Sequence, residues 1–140
     1  MLISVFTVYC LVLLALSFFK SAELFLPAIH EMEYWLGGDK LVHMKLSLVL
    51  SFFACIVSRE VKKNVKINVF LRLFFMQVVL ITGLLLDEAH QYVMFSRRFE
   101  WMDFYYGASG LFIGLLIYCG LLFIRFAYKS VIKNTSRQHI

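Results

Sequence analysis

Four stretches of this chain are apolar for long enough to cross a bilayer, and that restricts the fold before any motif is considered. A transmembrane helix needs about 20 mostly apolar residues. A bilayer core admits only helices or closed barrels, because no water is present there to satisfy an open backbone. The pattern predicts helical spans over residues 2–19, 41–57, 69–95 and 103–126. Hydrophobic residues make up 61% of the 140, against about 45–50% in a soluble domain. The expected fold is therefore all-α: a single-domain integral membrane four-helix bundle over 1–140, with a short interfacial helix or packed loop between the first and second spans. Span 2–19 is too long for the apolar core of a secretory signal and lacks its early basic residues, so it is expected to remain as a helix.

The connection between the first two spans, SAELFLPAIHEMEYWLGGD, is too polar to span and too apolar to float free. Pro27 breaks or begins a short helix there, and Gly37-Gly38 ends it, leaving Asp39 as the expected N-cap of the second span. The net charge of +5 is concentrated in two places: Arg59, Lys62, Lys63 and Lys66, and then Arg125, Lys129, Lys133 and Arg137. Both groups flank apolar runs, as cytoplasmic segments do under the positive-inside rule. This charge describes topology and does not point to nucleic acid. It predicts both termini and the 58–68 connection in the cytoplasm, with 20–40 and 96–103 facing outward, where Trp35 and Trp101 suit an interfacial belt. Cys10, Cys55 and Cys119 lie in apolar runs without ligand spacing, which fits small core residues.

Polar residues gather at the outward ends of three spans. Lys40, His43, Ser47 and Ser51 recur at three and four residues along one helical face, with Asp39 beside them and Lys45 directed away. In the third span Glu88 and Gln91 share a face, as do Asp87, His90 and Gln91, with water as the plainer alternative for Asp87 and His90, and Gly83 offers a site for close helix contact. In the fourth, Asp103 tops a face formed by Gly107, Gly110 and Gly114, which suits helix packing either within the chain or between copies of it. Arg97 and Arg98 lie between these two spans. A charge at mid-bilayer costs about 2.5–3.5 kcal/mol on insertion scales, so these groups need partners among themselves, in water or on a ligand. The candidate ligand-binding set is Asp39, Lys40, His43, Glu88, Gln91, Arg97 and Asp103. The plainer alternative, ion pairs pinning helix ends, fits Asp39, Arg98 and Glu100 equally well.

The order of these residues resembles the VanZ-like family of small bacterial membrane proteins. Asp39, Lys40 and His43 form D-K-x-x-H at the start of a span. Glu88 and Gln91 form E-x-x-Q, Arg97 and Asp103 follow at steps of six, and a glycine-rich helix with Gly110 and Gly114 completes the pattern over about residues 36–118. Two positions depart from it: Gly107 stands where the family has Asn, which removes an amide, and Phe95-Ser96 stands where Pro-Gly is frequent. The resemblance implies a bacterial cytoplasmic-membrane location and a cell-envelope role linked to teicoplanin, a lipid-anchored glycopeptide.

Two readings of function follow. In the first, the outward pocket binds the head group of a membrane lipid or lipid-linked envelope component without catalysis, Lys40 and Arg97 taking phosphate or carboxylate. In the second, the protein is an intramembrane hydrolase or transferase with His43, Glu88 and Asp103 as catalytic candidates, although no nucleophile motif is present. Metal binding by His43, Glu88, His90 and Asp103 lacks a recognised spacing, and no metal or cofactor is expected. Proton transport lacks a continuous polar path toward the cytoplasmic side.

Overall fold

A computed structural model describes residues 1–61, 68–93 and 100–138 of the chain. These residues form five helices and no strand. Helix α1 covers Leu2–Ser21, α2 Leu26–Trp35, α3 Asp39–Val61, α4 Val69–Val93 and α5 Trp101–Gln138. All but α2 are long and apolar enough to cross a membrane, so the chain is a multi-pass membrane protein. The span expected at 103–126 continues as helix to Gln138, since no glycine or proline lies beyond Gly120 to end it.

Local chemistry accounts for α2. Phe25 takes a left-handed conformation at φ 58° that turns the chain out of α1, and Pro27 sits in the first turn, where its missing N–H costs nothing. Gly37 and Gly38, at φ 94° and 99°, supply the left-handed backbone that reverses direction into α3. Ile29 and Glu33, one turn apart, are the buried face of α2. Asp39 is the first residue of α3, one position inside the expected N-cap, and its carboxylate is turned to Lys20 and His43.

Helices α3 and α5 form the most extensive interface and run parallel. The reason is Gly110 and Gly114. A Cβ on Gly110 would overlap the backbone carbonyl of Met44, and one on Gly114 would overlap that of Leu48. Bare glycines four residues apart let the two backbones approach to this distance, the small-residue packing mode of membrane helices. That glycine face is thus occupied within the chain by α3. Gly107, further along, accommodates the Leu84 side chain of α4. Helix α4 packs on both α5 and α3, and Gln77 of α4 donates to Ser51 Oγ of α3 at 2.7 Å.

At the end of the bundle away from α2, Cys55, Leu73 and Tyr118 form the buried core, with Phe52 and Leu115 against them. Helix α1 lies on the outside and packs on α3 and α2. Tyr9 fastens it, donating to the Leu46 carbonyl at 2.8 Å while its ring tilts against Phe53. The packed helix pairs leave α1 and α4 parted from each other, and a cavity occupies the gap.

Candidate functional site

The ends of α1, α3, α4 and α5 that lie near α2 carry the polar groups, and those groups fall into two adjoining clusters. The first is centred on Lys20, the last charged residue of α1. Its Nζ donates to Glu33 Oε1 of α2 at 2.5 Å and to Asp39 Oδ1 of α3 at 2.6 Å. His43, one turn along α3, has Nε2 at 3.6 Å from the same Asp39 oxygen. One ammonium therefore ties three helices together and satisfies two carboxylates, one of them buried.

The second cluster joins α3 to α5. Lys40 Nζ donates to Glu100 Oε2 at 2.9 Å and reaches Asp103 Oδ1 at 3.4 Å. Asp103 is 5% exposed, and in α4 Glu88 is 0% and Gln91 1% exposed. The expectation that these three turn into the bundle is met. Lys45 points elsewhere, its ammonium donating to the Leu36 carbonyl at 2.7 Å. His90 is exposed. Arg97 and Arg98 lie outside the described residues, as do Lys62, Lys63 and Lys66 of the basic connection.

Between α1, α3 and α4, beside the Lys20 cluster, is a cavity of about 410 Å³. That lies in the range of about 300–1,000 Å³ typical of ligand pockets. Its upper end is polar: α1 contributes Ser17 and Lys20, α2 Glu33, α3 Asp39 and His43, and α4 Asp87 and Gln91. Its lower part is hydrocarbon, walled by Phe6, Leu13, Leu50, Val79 and Leu80. From Phe6 to Lys20 the α1 wall runs about 21 Å at 1.5 Å per residue. The hydrocarbon thickness of one leaflet, about half of a ~30 Å core, is of that order. Leu14 on α1 and Val79 on α4 line the cavity and are also 66% and 65% exposed. The cavity therefore opens sideways between α1 and α4, toward lipid.

Asp87 is the polar group closest to that opening on the α4 side. Its Oδ1 accepts from Ser17 Oγ of α1 at 2.6 Å, and its Oδ2 accepts from Gln91 Nε2 at 3.0 Å. Sequence periodicity put Asp87 on a face with His90 and Gln91, with water as the plainer alternative, and the bond to Gln91 agrees with the shared face. The structure turns it, half-buried, to the cavity, because α1 crosses that side and brings Ser17 to it. Gly83 departs from expectation. A Cβ there would meet nothing within 4 Å, so Gly83 makes no close helix contact and widens the cavity wall instead.

Of the seven predicted ligand-binding residues, Asp39, His43 and Gln91 line the cavity, Lys40 and Asp103 belong to the neighbouring cluster, and Glu88 is buried in α4 without lining the cavity. The sequence reading passed over Ser17, Lys20, Glu33 and Asp87. A signal for the first two was available, since Phe6, Cys10, Leu13, Ser17 and Lys20 recur at three and four residues and share one face of α1. Cys10 lines the cavity, Cys55 is buried and Cys119 is exposed, so only Cys55 is the core residue expected of all three.

Asp39, His43 and Asp103 bring one potential ligand atom each within 4.8 Å of the others. Two of these residues belonged to the metal set considered from sequence. Lys20 and Lys40 already lie against the Asp39 and Asp103 oxygens, so a cation here would have to displace two ammonium groups. No protein-family model matches the chain, and comparison with curated proteins and with solved structures finds no match. What the fold and the site define is a class: a multi-pass helical membrane protein with an amphipathic cavity open at its side.

Proposed function

We propose that this protein binds a membrane amphiphile without chemically altering it, holding the head group in the polar end of the cavity and one alkyl chain in the hydrocarbon part. The observation that carries this reading is the division of the cavity along its length. Lys20, Asp39, His43 and Asp87 lie at one end, and Phe6, Leu50, Val79 and Leu80 at the other. A soluble polar metabolite gains nothing from the second half, and a bare hydrocarbon leaves the first half unused. A lipid already in the bilayer reaches the cavity between Leu14 and Val79 without leaving the membrane. The resemblance to VanZ-like proteins in the order of these residues supports a cell-envelope setting in a bacterial cytoplasmic membrane, and the two basic clusters support both termini inside. Within that setting the ligand is a lipid or a lipid-linked component, the acyl-bearing glycopeptide teicoplanin among them.

The test is direct binding. The full chain is reconstituted in phosphatidylcholine vesicles, and a nitroxide-labelled lysophospholipid is titrated in. A saturable, motionally restricted population is expected, and it is expected to vanish in Gly83→Leu, whose side chain would occupy the cavity. Restriction that never saturates, or that is the same in Gly83→Leu, sinks the proposal.

A second reading, a hydrolase or transferase acting on a lipid-linked substrate, has one observation in its favour. Asp39, His43 and Ser47 line the same cavity wall at successive turns of α3, and the Asp39 carboxylate lies 3.6 Å from the His43 imidazole, as an orienting group does for a general base. Head-group release from vesicle lipid that disappears in His43→Ala would favour this reading over simple binding.

A further inference from the structure

We infer that the head group this cavity selects carries a positive charge, a primary or substituted ammonium, and that Asp87 is the residue that holds it. The inference rests on the binding reading above and adds the chemical class of the ligand. It begins with the charges lining the polar end. Among the described residues these are three carboxylates, Glu33, Asp39 and Asp87, against one ammonium, Lys20. His43 faces the same end, beside Asp39.

Lys20 is already outmatched in charge: two of its three N–H groups are taken by two carboxylates. It already donates to Glu33 and Asp39 at 2.5 and 2.6 Å. Among the described residues, Lys40 and Lys45 also lie near this end but are not part of the cavity wall: Lys40 is engaged by Glu100 and Asp103, and Lys45 by the Leu36 carbonyl. Among the described residues, a phosphate or carboxylate entering the polar end would thus meet three like charges and no cation without carboxylate partners.

Asp87 is placed differently from the other two carboxylates. Among the described residues its hydrogen-bond partners, Ser17 and Gln91, are neutral donors, one to each oxygen. Both oxygens act as acceptors, and each retains a lone pair. A carboxylate held this way has its geometry fixed by neutral donors, and among the described residues no cation is paired with it. An ammonium arriving from the bilayer supplies what is missing: three N–H donors and a positive charge. The sideways opening between Leu14 and Val79 leads past Asp87 before it reaches the Lys20 cluster, so a bound amine would meet Asp87 first.

The experiment compares three nitroxide-labelled probes that share a chain and differ only in head group: octadecylamine, octadecanol and octadecanoic acid. Each is titrated into phosphatidylcholine vesicles containing the full chain at pH 7, where a primary amine is protonated. The ammonium probe is expected to bind about tenfold or more tighter than the alcohol, the scale of one charge-assisted hydrogen bond in a poorly hydrated site. The carboxylate probe is expected to bind more weakly than the alcohol. In Asp87→Asn the ratio of ammonium to alcohol affinity falls toward unity, and in Asp87→Glu it is retained. Equal binding of the three probes to the wild-type chain overturns this inference while leaving the chain-binding site in place. Preference for the carboxylate overturns it as well, as does an unchanged ratio in Asp87→Asn. Absence of saturable binding by every probe removes the underlying reading along with it. The wild-type comparison requires no variant, so a failure of Asp87→Asn to fold does not prevent a decision.

Discussion

Ser17 on α1 donates a 2.6 Å hydrogen bond to Asp87 on α4, across the side of the bundle where these two helices otherwise stand apart. The bond lies at the polar end of the cavity, above the opening between Leu14 and Val79. It joins residues 70 positions apart in the chain, and it is the point at which α1 is tied to α4. Ser17→Ala should therefore widen the opening. The expected stability cost is about 1.5–3 kcal/mol, that of losing a hydrogen bond to a charged group. Exchange of a bound spin-labelled chain with the bilayer should become faster. Unchanged exchange rates in Ser17→Ala would show that the bond does not restrain the opening.

Lys20 should matter to stability far more than its position at the end of an apolar helix suggests. Lys20→Ala leaves Glu33, buried, and Asp39 without their common ammonium. Breaking such a pair from one side costs roughly 3–5 kcal/mol. Thermal unfolding in detergent should drop accordingly. The triple variant with Glu33→Gln and Asp39→Asn should recover most of the loss, because the uncompensated charges are then gone. A triple variant no more stable than Lys20→Ala would mean that Lys20 acts through its alkyl stem and not through these carboxylates.

The glycines should separate into two kinds. Gly110→Ala forces a methyl into the Met44 carbonyl, and Gly114→Ala forces one into that of Leu48. Backbone cannot move aside as a flexible side chain does, so each should cost at least about 1–3 kcal/mol. At Gly120 a Cβ meets nothing within 4 Å, and Gly120→Ala should be neutral or gain up to about 1 kcal/mol from helix propensity. Equal unfolding temperatures for Gly110→Ala and Gly120→Ala would contradict the close approach of α3 and α5.

Cys10 provides a chemical test of the cavity. It lines the wall between Phe6 and Leu13, whereas Cys119 on α5 is exposed away from it. In a Cys119→Ser background, a bulky maleimide on Cys10 should abolish retention of the labelled lysophospholipid. Prior occupancy by that lipid should slow the labelling several-fold. Labelling that proceeds at the same rate with and without lipid would separate Cys10 from the binding site.

Much of the fold was legible in the sequence, and the reason is the membrane. Backbone groups without water must be satisfied within each segment, so an apolar run of sufficient length is a helix whatever its neighbours do. Spans expected at 2–19, 41–57, 69–95 and 103–126 correspond to α1, α3, α4 and α5, and Pro27 with Gly37-Gly38 bounds α2 as local backbone chemistry requires. The inward faces of Glu88, Gln91 and Asp103 were also legible, since helical periodicity places each on a polar or small-residue stripe. Periodicity also put Asp87 on a face with Gln91, to which it is hydrogen-bonded, but it orders residues around one helix and does not say which neighbour passes on each side, so the approach of Ser17 was not legible.

The sequence by itself determined how many helices cross the bilayer, where each begins, and that their polar ends must find partners, because these follow from desolvation and from spacing within a segment. Only the tertiary structure decided which partners those are. It gave Lys20 to Glu33 and Asp39, Lys40 to Glu100 and Asp103, and Ser17 to Asp87. Each of these pairs joins different helices or a helix to a loop, and each depends on how the helices are rotated and spaced. That arrangement is set by the contact of α5 against the α3 backbone at Gly110 and Gly114 and by the lie of α1 along α3. The cavity is what this packing leaves between α1 and α4, and a space between helices has no residues of its own for a sequence to spell out.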